Sequence, residues 1–284
     1  MLDFVWWALA TAWLGTGQAW VCAPASPGPH TQAWTESNRC IPVVVDDGIA
    51  DFRDEGAPVI RDAFERWSRP GCTDLRFTFR TASALGLEGG PDLVGIDTEG
   101  TNVNAITAAR TEADLDELEA LRGGLLALTL TTFVRSTGEI IDADIVVNLA
   151  RFDFASVDAS GCLDTFDLPS TVTHEVGHLL GFDHTLDDEA TMFGTADACE
   201  THKRTLSATD LDGLCTVYAA GASTRTCRSP SSYEVDDLDL RRFRAQCEIG
   251  DDPGGCTSLG PSVLSPWLLP WAAWAAHRRR RRPA

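Results

Sequence analysis

The chain has 284 residues, 44% of them apolar, and a formal charge of −19. That is enough apolar material for one sizeable core or two small ones, which excludes a disordered or fibrous protein, and the acidic balance argues against a nucleic-acid partner. Nine cysteines, none in a C-x-x-C pair, point to export and disulfides rather than to redox catalysis or a zinc ribbon.

Residues 4–14 form a short apolar run, followed by small residues in which Gly17 and Ala19 suit a cleavage site. Residues 1–19 therefore read as a signal peptide and 20–32 as an N-terminal extension. A buried helix is the other reading, because the basic start of a signal is missing and Asp3 stands there. The β-branched run 41–45 predicts a strand, and residues 58–67 place Val59, Ile60, Ala63, Phe64 and Trp67 on one helical face. Residues 75–81 alternate apolar and polar, 92–96 form a short apolar run, and 125–134 and 140–149 are two longer β-rich runs joined by a hairpin-like turn at 136–139. Between them, residues 111–122 read as a short exposed helix or ordered loop without chemistry.

Asp167 is a suitable N-cap for a helix from Leu168 to about Leu180, with Pro169 in its first turn and Gly181 ending it. Ser207 with Asp210 three residues on is a capping-box variant opening a second helix through Leu211, Leu214, Val217 and Tyr218. After Ala220 the periodic pattern disappears, and residues 221–255 read as a stalk or disulfide-pinned appendage. Residues 256–284 carry Cys256 after a Gly-Gly pair, an apolar stretch and then five arginines. Such a tail is a membrane contact, with the arginines on the cytoplasmic side. If Cys256 belongs to it, eight cysteines remain, an even count that fits four disulfides, with Cys227 and Cys247 the pair expected from their shared segment.

The stretch from His174 through Glu175 and His178 to His184 concentrates three of the six histidines in eleven residues. On a helix His174 and His178 share a face and can bind one Zn²⁺, with Glu175 beside the open coordination position. Gly181 can break the helix so that His184 returns as third ligand. Zinc lowers the pKa of a bound water toward 7, and Glu175 can take its proton as it attacks a peptide carbonyl, then pass it to the leaving amine. No serine or cysteine nucleophile is needed.

These residues are the metzincin signature H-E-x-x-H-x-x-G-x-x-H, and Met192, eight residues after His184, stands where that clan has its Met-turn. The chain most resembles the matrixins. Thr185 follows His184, Gly194 stands where astacins carry a tyrosine, residues 138–145 are similar to the matrixin run ending in Ala-Asp-Ile, and Leu206 to Tyr218 is similar to the closing helix. The resemblance implies an α+β fold over residues 33–220, with a twisted, mostly parallel sheet, a backing helix, an active-site helix and a C-terminal helix. It also implies a floor of Met192 under the metal, and residues 125–134 as the edge strand along which a peptide substrate pairs. His30, His202 and His277 are too few for the second zinc that matrixins commonly hold. Asp142 and Asp144 are candidate Ca²⁺ ligands, with solvated carboxylates as the alternative. The tail resembles the MYXO-CTERM type of sorting signal, which implies processing machinery acting at Cys256 and delivery to the cell surface. The expectation is a monomeric, exported zinc endopeptidase acting on proteins or peptides; a surface adhesion module with a non-catalytic zinc is the alternative.

Overall fold

The computed structural model of the protein describes residues 21–22, 32–96, 102–118, 121, 124–158, 162–221 and 238–248. In chain order its elements are β1 (Val21–Cys22), β2 (Cys40–Val45), α1 (Asp47–Ala50), α2 (Gly56–Ser68), β3 (Arg76–Thr81), α3 (Ala82–Leu85), β4 (Asn104–Ala109), α4 (Glu112–Glu117), β5 (Leu125–Val134), β6 (Ile140–Asn148), β7 (Phe154–Ala155), β8 (Phe166–Asp167), α5 (Leu168–Leu179), β9 (Phe182–Asp183), α6 (Ala208–Val217) and β10 (Leu238–Glu248). Six strands form one sheet in the order β10-β5-β6-β4-β2-β3. The β2–β3, β2–β4 and β4–β6 pairs are parallel, and β5 runs antiparallel to both β6 and β10. The fold is α+β with a mixed, mostly parallel sheet.

Alternation along each strand divides two cores. Ile41, Val43 and Val45 of β2 join Ile145 and Val147 of β6 on the face covered by α2 and α5, whereas Val44 and Val146 point to the opposite face. Covering both faces is why these strands read as nearly unbroken apolar runs. On the first face α2 buries Ile60, Phe64 and Trp67 against Val172 and Val176 of α5. Trp67 donates its indole N–H to the Thr173 carbonyl at 2.8 Å and stacks on Phe182 at 5.5 Å. The backing helix is thereby fixed to the helix that carries the histidines.

Three expectations are corrected. Residues 92–96 form no strand; Pro91–Leu93 is a single 3₁₀ turn. The strand beside β2 is β4, whose Asn-Ala-Ile-Thr-Ala-Ala sequence is rich in a weak strand former and is buried on both faces, so it carries no alternation to read. The segment from Thr111 is not an exposed excursion: a capping box between Thr111 and Asp114 starts α4, and Leu115, Leu118 and Leu121 are buried under the second face of the sheet. Finally β5 is not an edge strand, because β10 pairs along it from Leu238 opposite Val134 to Glu248 opposite Leu125.

Disulfides join Cys72 to Cys215 and Cys162 to Cys199, and Cys40 is disulfide-bonded as well. The signal segment, the tail with Cys256, and Cys227 of the expected Cys227–Cys247 pair lie outside the described residues. No helix among the described residues is long and apolar enough to cross a membrane.

Candidate metal centre

The helix that presents the centre starts as the sequence predicts. Asp167 accepts the Ser170 N–H at 3.0 Å, which satisfies one of the free amides of the first turn of α5. Arg204 donates to both oxygens of the same carboxylate. At the other end the free carbonyls of α5 are met by side chains: Trp34 donates to Leu179 O at 2.9 Å and the Tyr218 hydroxyl to Leu180 O at 2.6 Å. Gly181 then turns the chain at φ 87°, where a Cβ would lie 2.3 Å from the Gln32 carbonyl. Glycine is required there twice over, by conformation and by space. The turn leads through β9 to His184.

His174, His178 and His184 converge. Their Nε2 atoms stand 3.0 Å (His174–His178), 3.0 Å (His178–His184) and 3.2 Å (His174–His184) apart. Ligands placed tetrahedrally about 2.0–2.1 Å from Zn²⁺ are roughly 3.3–3.4 Å from one another, so the triangle fits that ion with shifts of a few tenths of an ångström. The outer nitrogens settle the tautomers. Nδ1 of His174 donates to Thr191 O at 2.6 Å and Nδ1 of His178 to Phe182 O at 2.7 Å, which leaves both Nε2 lone pairs facing the centre. Burial holds His174 and His184 well below the ordinary imidazole range, and the neighbouring His178 and Lys203 add to the effect; His178 is lowered by burial too. Neutral imidazoles are the ligand form. Among the described residues these three are the only cluster of three or more side chains able to hold a metal.

Glu175, between the first two histidines in sequence, is 2% exposed. Burial pushes its carboxyl up to about 7, against the opposing hydrogen bond from Thr129. The Thr129 hydroxyl, on β5, lies 2.5 Å from Oε2 and 3.1 Å from the Glu175 main-chain oxygen, so the sheet fixes the carboxylate. Nothing in the pattern around Thr129 marks it for this task, because the contact depends on how α5 crosses β5.

Met192 lies beneath α5. A Cβ on Gly177 would come within 2.1 Å of its sulfur and 2.8 Å of the Trp67 ring, so the glycine between the two helical histidines lets the methionine approach the helix backbone. The turn is fixed by Asp210, whose Oδ2 accepts Thr191 N at 2.8 Å and Oδ1 accepts Met192 N at 3.1 Å. The same Oδ2 accepts Ser207 N at 2.8 Å and completes the cap of α6. The cap was legible in the sequence; its second use, carrying α6 through Thr191 to His174, was not.

Asp142 and Asp144 are buried in β6 rather than solvated, and the Asp144 oxygens accept Ala105 N at 2.8 Å and Gly95 N at 2.6 Å.

Residues 111–219 match the family model described as Matrixin. A stretch of 123 residues is 34% identical to the Arabidopsis thaliana protein named Metalloendoproteinase 2-MMP, covering 39% of this chain and 32% of that protein. The chain thus spans about a third of the relative's length. The match includes β5, β6, α5, the Met192 turn and α6, and over this region the protein is matrixin-like in sequence and metzincin-like in its α+β fold.

Proposed function

We propose that the protein is a zinc-dependent endopeptidase in which His174, His178 and His184 hold the ion and Glu175 is the general base. The observation that carries this is the buried triangle of three neutral imidazole nitrogens with a raised carboxyl beside it. When bound, zinc supplies Lewis acidity and lowers the pKa of water toward 7. The chain's residues supply the rest. Glu175, raised toward neutrality, can accept the proton of the attacking water and return it to the leaving amine nitrogen without leaving the site. Thr129 keeps one carboxylate oxygen in place while this happens. Similarity to the matrixin model and to a plant metalloendoproteinase supports the same reading.

Export is part of the proposal. Two described disulfides, one closing residues 143 apart, fit an oxidising compartment, and the apolar N-terminal run and arginine-ended tail fit a surface destination. The test is cleavage of a peptide library by oxidatively folded, zinc-loaded protein beside Glu175→Ala, with metal counted in both. The expected result is cleavage by the wild type and equal zinc in the variant, with a rate lower by about 10²–10⁴-fold. A wild type that holds one zinc and cuts nothing overturns the reading in favour of a binding module.

A further inference from the structure

Beyond the residues that match the family model, which end at 219, the described chain continues in one strand, β10, starting at Leu238. It runs antiparallel to β5 as the outermost strand of the sheet, and without it β5 would be the edge. An uncovered edge strand offers a row of free N–H and C=O groups to any extended peptide. The stretch of β5 that β10 covers is the one that serves the metal centre. Leu126 lines the narrow pocket against His174 and Glu175, and the Thr129 hydroxyl holds the Glu175 carboxylate. Gln246 stands opposite Leu128 and Ala245 opposite Thr129. A strand paired there lies about 4.8 Å outside β5, in the place that an extended substrate would take.

The pairing is of a kind that can be exchanged. Its register slips between Asp239 and Phe243 and again between Gln246 and Glu248, which divides the ladder into short runs. Charge favours the return of the strand once it has left: residues 33–220 hold thirty-four acidic side chains against thirteen basic ones, whereas β10 carries Arg241, Arg242 and Arg244 against Asp239 and Glu248. Because β10 belongs to the same chain, its return is also an intramolecular event that dilution does not weaken. We propose that β10 is a built-in competitive inhibitor, a segment of the chain that occupies the peptide-pairing edge of β5 and must leave it before a substrate can pair there. The proposal rests on the endopeptidase reading above. Since the strand competes for main-chain pairing, it acts on KM and not on kcat.

The test uses the full-length, oxidised, zinc-loaded protein. Arg244→Pro together with Ala245→Pro removes two consecutive amide donors, one of which faces β5 because neighbouring residues of an antiparallel strand alternate in direction. The expected result is a KM several-fold lower than that of the wild type, with kcat and bound zinc unchanged. A peptide of residues 236–249, with Cys247→Ser so that no thiol reaches the zinc, should then inhibit the variant competitively, and the same peptide carrying both prolines should not. An unchanged KM, or a peptide that fails to inhibit or inhibits equally well with the prolines, overturns the proposal. Amide hydrogen exchange reads the displacement without turnover and without the prolines. In zinc-loaded Glu175→Ala the added peptide should strip protection from residues 238–248 of the chain while β5 stays protected. Protection that the peptide leaves unchanged overturns the proposal. If nothing is cut, the endopeptidase reading fails while this measurement still decides whether β10 can be displaced from β5.

Discussion

The metal centre and the pocket beside it share α5, yet they are held by different means. Main-chain carbonyls, Thr191 O and Phe182 O, orient the His174 and His178 rings, and the Asp210 carboxylate holds the amides of Thr191 and Met192. The pocket, lined by Leu126, Phe166, Ser170, Glu200 and Lys203 among others, is held by a side-chain ion pair between Lys203 and Glu200 and by a disulfide-pinned loop. The carbonyls of Thr191 and Phe182 persist through changes of residue there, whereas the Asp210 carboxylate and the Lys203–Glu200 pair are each lost to a single substitution.

The largest expected effect separates the two regions. Replacing both Cys162 and Cys199 by alanine releases a loop closed over 37 residues, which costs about 3–4 kcal/mol in the chain-entropy account. Thermal or denaturant unfolding should show that loss. Zinc affinity should change little, because no histidine anchor passes through this link. A variant that loses zinc along with stability would show that the pocket loop and the centre are one unit.

Glu175 sharpens the comparison from the metal's side. In metal-free protein its carboxyl is pushed up to about 7 by burial, from an ordinary value of about 4.5. A raised folded-state pKa contributes stability that is complete below the unfolded value and lost as pH rises through the folded one. Metal-free Glu175→Gln should therefore gain stability relative to metal-free wild type as pH rises from about 4.5 to about 7, by up to roughly 3 kcal/mol, and level off above. The histidines, lowered by burial, lose stability as pH falls, but they do so in both proteins and cancel in the difference. A difference flat with pH would mean that the carboxylate is as well solvated folded as unfolded.

How much of this could be read beforehand follows the range of the forces. The N-cap at Asp167, the break at Gly181 and the capping box at Ser207 depend on residues within a few positions of one another, and each is found as expected; the same short range brings His174, His178 and His184 together. Thr129 on Glu175, Trp34 on Leu179 and Asp210 on the Met192 turn join residues 46, 145 and 18 apart, and no local pattern announces them. β4 escaped for a different reason: burial on both faces and three alanines in six residues remove the alternation that marks a strand. Leu115, Leu118 and Leu121 were visible as leucines, but only the sheet above them shows that they are core.

Asp210→Ala tests the main-chain anchoring itself. The substitution leaves three backbone N–H groups, of Thr191, Met192 and Ser207, without their acceptor. Thr191 O then no longer fixes the His174 ring, and zinc affinity should fall about 10–100-fold, the usual cost of losing a group that orients a ligand. Metal titration with a competing chelator measures this.

The smallest effect concerns the opposite wall of the cleft. A peptide that extends along β5 would pair where β10 already pairs, since Gln246 stands opposite Leu128 and Ala245 opposite Thr129, the residue that holds Glu175. Both partners offer the same main-chain hydrogen bonds, so an incoming peptide must displace β10, and the cost of that exchange appears in binding rather than in chemistry. A chain ending at residue 221 should therefore cleave peptides with a KM several-fold lower and kcat unchanged. A fall in kcat would show that β10 steadies β5 and, through Thr129, the carboxylate of Glu175.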